Sequence, residues 1–357
     1  MNELNTPYLP ALTGIRFIAA LMVFFHHIPP FTIEQSPLFF IKSIKEFHVG
    51  VTIFFVLSGF IITYKYLLNK DFDYKEYLWN RFTKIYPLYF LLTIFTFVIY
   101  VGYYQSFTYN KLLELLMNLT LLKGFFSSFI FTGIPQAWTL SVEECFYLIS
   151  PILAPALFKN IPTRIITLSI SIITLGIIVG YLGQHILASD FIPNLKFLFN
   201  FSFFGRVFEF LVGMVLAKFY VQNKKKHIKR CTFLGGFGII ISIYALSIIA
   251  KFPDTGDHSW QGIIINNFIL PLFGIAPFFW GLLNEKTWIQ RFLGSKPIQI
   301  LGKSSYAFYL IHAGIFQEYL DIHISSVLLL LIMLYFISFL LYYFVETPLK
   351  NRLRTLM

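Results

Sequence analysis

Charge is scarce in this sequence. Asp, Glu, Lys and Arg supply only 13% of its 357 residues, where a soluble domain carries about a quarter. Cysteine is scarcer still: Cys145 and Cys231 are the two in the chain, and they offer neither a metal-ligand spacing nor a disulfide framework. The N-terminus lacks a basic stretch followed by a small-residue cleavage site, so no removed signal peptide is expected. Nor does any nucleic-acid-binding motif accompany the net charge of +11, which excludes nucleic acid as the reason for it. No repeat of fixed period and no low-complexity linker divides the chain, so one membrane domain is expected over 1–357.

What fills the sequence instead is apolar. Hydrophobic residues reach 57% and aromatic residues 20%. A chain this long and this apolar cannot hide its hydrophobic surface in one aqueous core, and a bilayer is the remaining solvent. A spanning helix needs about 20 mostly apolar residues. Segments 11–28, 48–68, 85–104, 138–158, 164–187, 200–220, 231–250, 262–283, 298–317 and 324–345 meet that need. The expected fold is an all-α polytopic membrane protein of about ten helices. The apolar stretch 112–131 is interrupted by Lys123, Gly124, Ser127 and Ser128 and reads as re-entrant or interfacial. The segment from Asp71 to Lys84, with Tyr74, Leu78 and Phe82 four apart, reads as a helix lying along the cytoplasmic interface and leading into the third span.

With ten spans, the loops on the side of both termini hold 19 of the 28 Lys and Arg residues, and the opposite loops hold six. That bias places both termini in the cytoplasm. The run Lys224–Lys226 with Lys229 and Arg230 reads as a topology anchor.

Ionisable residues inside spans are costly and are functional candidates by default. In the first span Arg16 and His27 stand 11 positions apart, which returns to within roughly 20° of the same helix face about 16 Å along the axis. His26 points about 80° away and is expected to pack or hydrogen-bond. Two clusters follow from helix order. An inner basic one holds Arg16, Arg81, Lys84 and Lys303, and suits phosphates. An outer mixed one holds His27, His312, Glu143, Glu144 and the pair Arg206–Glu209, with Ser141 nearby. It suits proton transfer, although residues three apart on one face, as Arg206 and Glu209 are, also pair with each other.

Seven stretches then carry a resemblance. They are LTGIRFIAALMVFFHH (12–27), GVTIFFVLSGF (50–60), RFTKIYPLY (81–89), AWTLSVEECFYLISP (137–151), GRVFEFLVGMVLA (205–217), LGKSSYAFYLIH (301–312) and VETPLKNRL (345–353). Their sequence and order resemble the acyltransferase 3 family of membrane O-acyltransferases over nearly the whole chain. The resemblance implies transfer of an acyl group, usually acetyl from acetyl-CoA, to a hydroxyl of a carbohydrate or related acceptor. No metal is implied. The acceptor is a surface polysaccharide or its lipid-linked precursor in this reading, and the location a multi-pass segment of the inner (cytoplasmic) membrane, in contact with membrane lipids. Arg16 and His27 match the family's R/K-x10-H motif, and Arg81 and Lys84 match its R-x-x-R motif with lysine at the second position. Thr52 stands where the family commonly has an acidic residue.

The implied roles are His27 as general base or acyl carrier, aided by Glu143 and Glu144; Arg16, Arg81 and Lys84 on the donor; and Ser141, Arg206, Glu209 and His312 on the acceptor. No appended SGNH-type domain is expected. The competing readings are a transporter or exporter of a lipid or small solute, and a family member without catalysis. The sequence leaves the acceptor, the acyl length and the oligomeric state open.

Overall fold

The computed structural model describes residues 7–31, 36–69, 71–104, 109–223 and 229–356. The lysines at 224–226 lie outside them. Every regular element among the described residues is helical. In chain order these are α1 (Pro10–His27), α2 (Leu38–Lys45), α3 (Val49–Ile62), α4 (Tyr74–Tyr104), α5 (Tyr109–Leu119), α6 (Trp138–Phe158), α7 (Ile161–Ile186), α8 (Leu195–Phe201), α9 (Phe203–Gln222) and α10 (Cys231–Ile249). There follow α11 (Trp260–Ile264), continued by a π-helical segment Ile265–Ile275 into α12 (Ala276–Asn284), then α13 (Trp288–Leu293), α14 (Lys296–Ile311), α15 (Ile315–His323), α16 (Val327–Leu341) and α17 (Thr347–Arg354).

Nine helical runs among the described residues are long and apolar enough to cross a membrane. They coincide with nine of the ten expected spans. The exception is 298–317. There α14 has 16 residues, about 24 Å at 1.5 Å per residue, short of the ~30 Å hydrocarbon core. It stops before Gly314, whose φ of +81° suits a residue without Cβ. Stretch 112–131 becomes α5 and a turn rather than a span. Segment 71–84 leads into the third span without a break: from Tyr74 onward the two form one 31-residue helix that runs through Pro87. Long apolar helices keep apolar side chains exposed, as with Ile166, Ile170, Ile177 and Ile178 on α7, which is the surface a lipid solvent requires.

The backbone packs as two units. The first comprises Met1–Phe72, Ile149–Thr174 and Gly205–Lys303. Its core joins Leu12, Ile15 and Ala19 of α1 to Val49, Ile53, Val56 and Phe60 of α3, and to Val212, Phe279 and Trp280. Close approach depends on small residues, the usual device where lipid gives helices no hydrophobic drive to associate. A Cβ at Gly50 would lie 2.5 Å from the Ala19 carbonyl oxygen, and one at Gly213 would lie 2.1 Å from that of Val56. These contacts bring α1 and α9 against α3.

The second unit comprises Asp73–Leu148, Leu175–Phe204 and Ser304–Met357. Tyrosine hydroxyls tie its helices to carbonyls: Tyr77 donates to Tyr147 O (3.1 Å), Tyr306 to Ile85 O (2.7 Å) and Tyr89 to Asn118 O (2.8 Å).

Candidate active site

In the first unit, Arg16 and His27 belong to one uninterrupted helix, so their expected register holds along α1. His27 is the last residue of that helix and its side chain is exposed, while Arg16 is half-buried. His26 behaves as its helical angle suggested. Its Nδ1 lies 2.5 Å from Lys45 O. Because a carbonyl can only accept, this nitrogen carries the proton and leaves Nε2 as the acceptor. The His26 ring meets that of His27 edge-on at 4.8 Å between centroids, and that of His48 at 5.5 Å.

Deeper in the same unit, Arg206 is 3% exposed and Glu209 is fully buried. Their pairing is bidentate, Nε to Oε2 at 3.0 Å and the second terminal nitrogen to Oε1 at 2.9 Å. Arg206 also donates to Asn267 Oδ1 (3.0 Å) and Thr52 Oγ1 (2.9 Å), while Thr52 donates to Asn266 Oδ1 (2.9 Å) and Asn266 to Asn267 Oδ1 (3.0 Å). The guanidinium further sits 5.3 Å from the centre of the Phe55 ring. Thr52 is thus bound to Arg206 through a neutral hydroxyl, and Glu209 supplies the negative charge. Both asparagines lie in the π-helical segment, the kind of wide turn that often marks functional helices. Lys303 is exposed, its ammonium 5.8 Å from the Tyr8 ring centre.

In the second unit the structure corrects the expected division into two clusters. Arg81 does not lie apart from the carboxylates. It is 7% exposed and within electrostatic reach of Glu144 and Tyr147. Depth inferred from helix order failed because α4 starts well before its apolar part, and its first turns pack on the middle of α6. Tyr77, one turn before Arg81, reaches Tyr147 O, and Tyr74 reaches Leu148 O at 3.4 Å. Tyr147 in turn donates to Glu143 Oε2 at 2.5 Å. Glu143, Glu144 and Lys84 are half-buried.

Ser141 is 3% exposed, and its Oγ is buried with no hydrogen-bond partner among the described residues. His312 is fully buried. Its Nδ1 donates to Tyr309 O (2.8 Å) and its ring lies parallel to Phe308 at 5.6 Å. Tyr309 is bridged to α6 through Thr139 and Gln136. Sequence reasoning passed over Lys123, whose buried ammonium donates to Asn118 Oδ1 (3.1 Å), Thr132 O (2.5 Å) and Ile134 O (2.8 Å). It also passed over Glu46 and His48. The available signal was their charge, set immediately before the GVTIFF run or within an apolar stretch.

The acyltransferase domain family, of the acyltransferase 3 type, matches residues 9–343. The chain belongs to this family of acyltransferases. Its curated relatives include the O-acetyltransferase OatA of Staphylococcus aureus (strain NCTC 8325 / PS 47), 23% identical over 397 aligned residues that take in 99% of this chain and 59% of the relative. Another is the peptidoglycan O-acetyltransferase OatA of Listeria monocytogenes (serovar 1/2a), 24% identical over 96% of this chain and 56% of the relative. The acyltransferase chain therefore spans somewhat over half the length of these relatives. No solved structure matches it.

Proposed function

We propose that this acyltransferase moves an acetyl group from acetyl-CoA to a hydroxyl of a carbohydrate acceptor at the cell membrane. The observation that carries the reading is the exposed imidazole of His27 at the end of α1, in register with Arg16 on the same helix. The relatives are O-acetyltransferases, which supports O-acetyl transfer, and one of them is a peptidoglycan O-acetyltransferase. A glycan built of N-acetylated sugars is accordingly the first acceptor class to try.

The reaction needs a base for the hydroxyl proton and an acid for the departing thiolate. An imidazole can do both near neutral pH. His27 takes the proton as the acceptor oxygen attacks the thioester carbonyl. The C–S bond then breaks and the proton passes to the CoA sulfur. In an alternative order a ring nitrogen of His27 attacks the thioester first, an N–acetyl bond forms as the C–S bond breaks, and the proton passes to the CoA sulfur. The acceptor oxygen then takes the acetyl group, the N–C bond breaks and the hydroxyl proton returns to the ring. Arg16, Arg81 and Lys84 supply positive charge for the phosphates of the donor. Arg81 has the company of Glu144, so its charge is already partly offset and Lys84 carries the larger share. Glu143, fixed by Tyr147, and Glu144 serve to orient the reacting groups. Ser141 offers the acceptor a buried hydroxyl. Arg206, Glu209 and His312 act on the acceptor through the framework they build, because their polar atoms are engaged with one another or with the backbone.

The test is acetyl transfer by purified protein in proteoliposomes. Radiolabelled acetyl-CoA is the donor, with a panel of N-acetylglucosamine, N-acetylmuramic acid and neutral-hexose oligomers as acceptors. General-base catalysis is worth about 10²–10⁴-fold, so His27→Ala is expected to lose at least ~100-fold in rate while still inserting and folding. Turnover near the wild-type level in that variant removes His27 from the chemistry. Solute uptake without any acetyl transfer favours a transporter instead.

A further inference from the structure

The stretch between α10 and α11 is fastened to α2 and the residues that follow it by four polar contacts. Lys42 Nζ donates to Ala250 O (3.2 Å) and Lys45 Nζ to Pro253 O (3.5 Å). Gly256 N donates to Glu46 Oε1 (2.9 Å). Asp257 Oδ2 lies 3.4 Å from His48 Nε2. Lys45 also sits over the Phe252 ring at 5.3 Å.

Two of these four contacts involve carboxylates, those of Glu46 and Asp257, that stand on either side of one imidazole. His48 Nδ1 lies 3.7 Å from Glu46 Oε2, so a carboxylate flanks each of its ring nitrogens. Glu46 is fully buried. Burial alone would raise the Asp257 carboxyl, but the nearby His48 charge and hydrogen bonds with His258 and Thr255 hold it well below the usual carboxylate range. It therefore remains an anion at any working pH. The remaining charged or titratable neighbours of this group are His26, Lys45 and His258.

His48 in turn touches the candidate reaction centre through one intermediary. Its ring packs edge-on against His26, His26 is pinned by Lys45 O, and His26 packs edge-on against His27. The close approach of Gly50 to Ala19 keeps this segment against α1.

We propose that His48, clamped between Glu46 and Asp257, is a positioning residue for acyl transfer, and that it fixes the ring of His27 through His26. The 250–258 stretch is then part of the catalytic apparatus although it bears no reacting atom. This inference rests on the reading of His27 as the reacting imidazole. Small errors in the placement of a reacting group are costly, up to about 100-fold for displacements near 1 Å.

The experiment uses the full chain in proteoliposomes and compares His48→Ala, Asp257→Asn and Asp257→Glu. CoA thiol release and acetyl transfer are followed against pH. The rate of His27 modification by diethyl pyrocarbonate is read by mass spectrometry. His48→Ala and Asp257→Asn are expected to lower kcat about tenfold with KM for acetyl-CoA within about twofold, and to change the shape of the pH–rate profile. Asp257→Glu, which keeps the charge, is expected to recover most of the loss. The modification rate of His27 is expected to change several-fold in the first two variants and little in the third.

Wild-type kcat and wild-type His27 modification in both His48→Ala and Asp257→Asn overturn the proposal. So does a loss that Asp257→Glu fails to recover while the pH profile keeps its shape. Full activity in His27→Ala overturns the catalytic reading instead, and the modification rates still report on whether His48 holds the ring.

Discussion

The first unit buries Arg206 against a carboxylate, whereas the second buries Lys123 completely against oxygens that carry no formal charge. Both cations are removed from water, and the chemistry of the two side chains explains the different solutions. A guanidinium is a planar fork that matches a carboxylate with two parallel bonds. An ammonium is a point charge with three donors, and three oxygens from one chain reversal, Asn118 Oδ1, Thr132 O and Ile134 O, use all of them. Arg206 joins helices distant in sequence. Lys123 closes a local turn on itself. The comparison separates a residue on which packing of a unit depends from one on which the shape of a single loop depends.

The largest effect is therefore expected at Arg206. Arg206→Met leaves the Glu209 carboxylate buried without its partner, a change that costs about 3–5 kcal/mol in such pairs. Loss of folded protein after detergent extraction, followed by size-exclusion chromatography and a thermal midpoint, measures it. Adding Glu209→Gln removes the stranded charge and should return part of the loss. A single variant as stable as wild type would mean that Glu209 takes up a proton at little cost, and that the first unit does not depend on the pair.

Lys123→Met is expected to be milder. It strands two carbonyls and one amide oxygen in a turn, at about 1–3 kcal/mol for an unsatisfied buried group, with partial relief as the turn opens. Limited proteolysis of 119–137 should accelerate more than the global thermal midpoint falls. If the midpoint falls as far as in Arg206→Met, the contrast between a local and a unit-wide role fails.

Helical length and apolarity made nine spans legible, because a bilayer imposes both. The Arg16–His27 register was legible because it is a property of one helix, as was the pairing of Arg206 with Glu209 three residues on. The partners of that pair were not. Thr52 is 154 residues from Arg206 and Asn266 is 214 from Thr52, so only packing through Gly213 and its neighbours brings them together. Depth was the weakest inference. It assumed that Arg81 sits in a surface-lying segment, but the polar start of α4 continues its apolar part without a break. The ninth expected span, 298–317, breaks after Ile311, and Gly314 with its positive φ separates α14 from α15 where hydropathy alone would continue the run. Lys123 was counted as a loop charge and Glu46 fell between expected spans, since nothing in a linear sequence distinguishes a solvated loop from one folded back on the protein.

The subtlest test of the comparison is pH. Burial pushes the Lys123 ammonium down to about 7, while in the unfolded chain a lysine titrates near 10.4. Between those values the unfolded chain binds a proton that the folded chain does not, so stability rises with pH. From pH 7 to pH 8 the gain is about 1 kcal/mol for this one group. Subtracting the Lys123→Met curve from the wild-type curve isolates the contribution from other titrating groups. The difference should widen in favour of wild type as pH rises, and flatten below pH 6, where Lys123 is charged in both states. Parallel curves would show that the three oxygens hold the proton as firmly as water does. Neutral ligands would then serve Lys123 as well as a carboxylate serves Arg206.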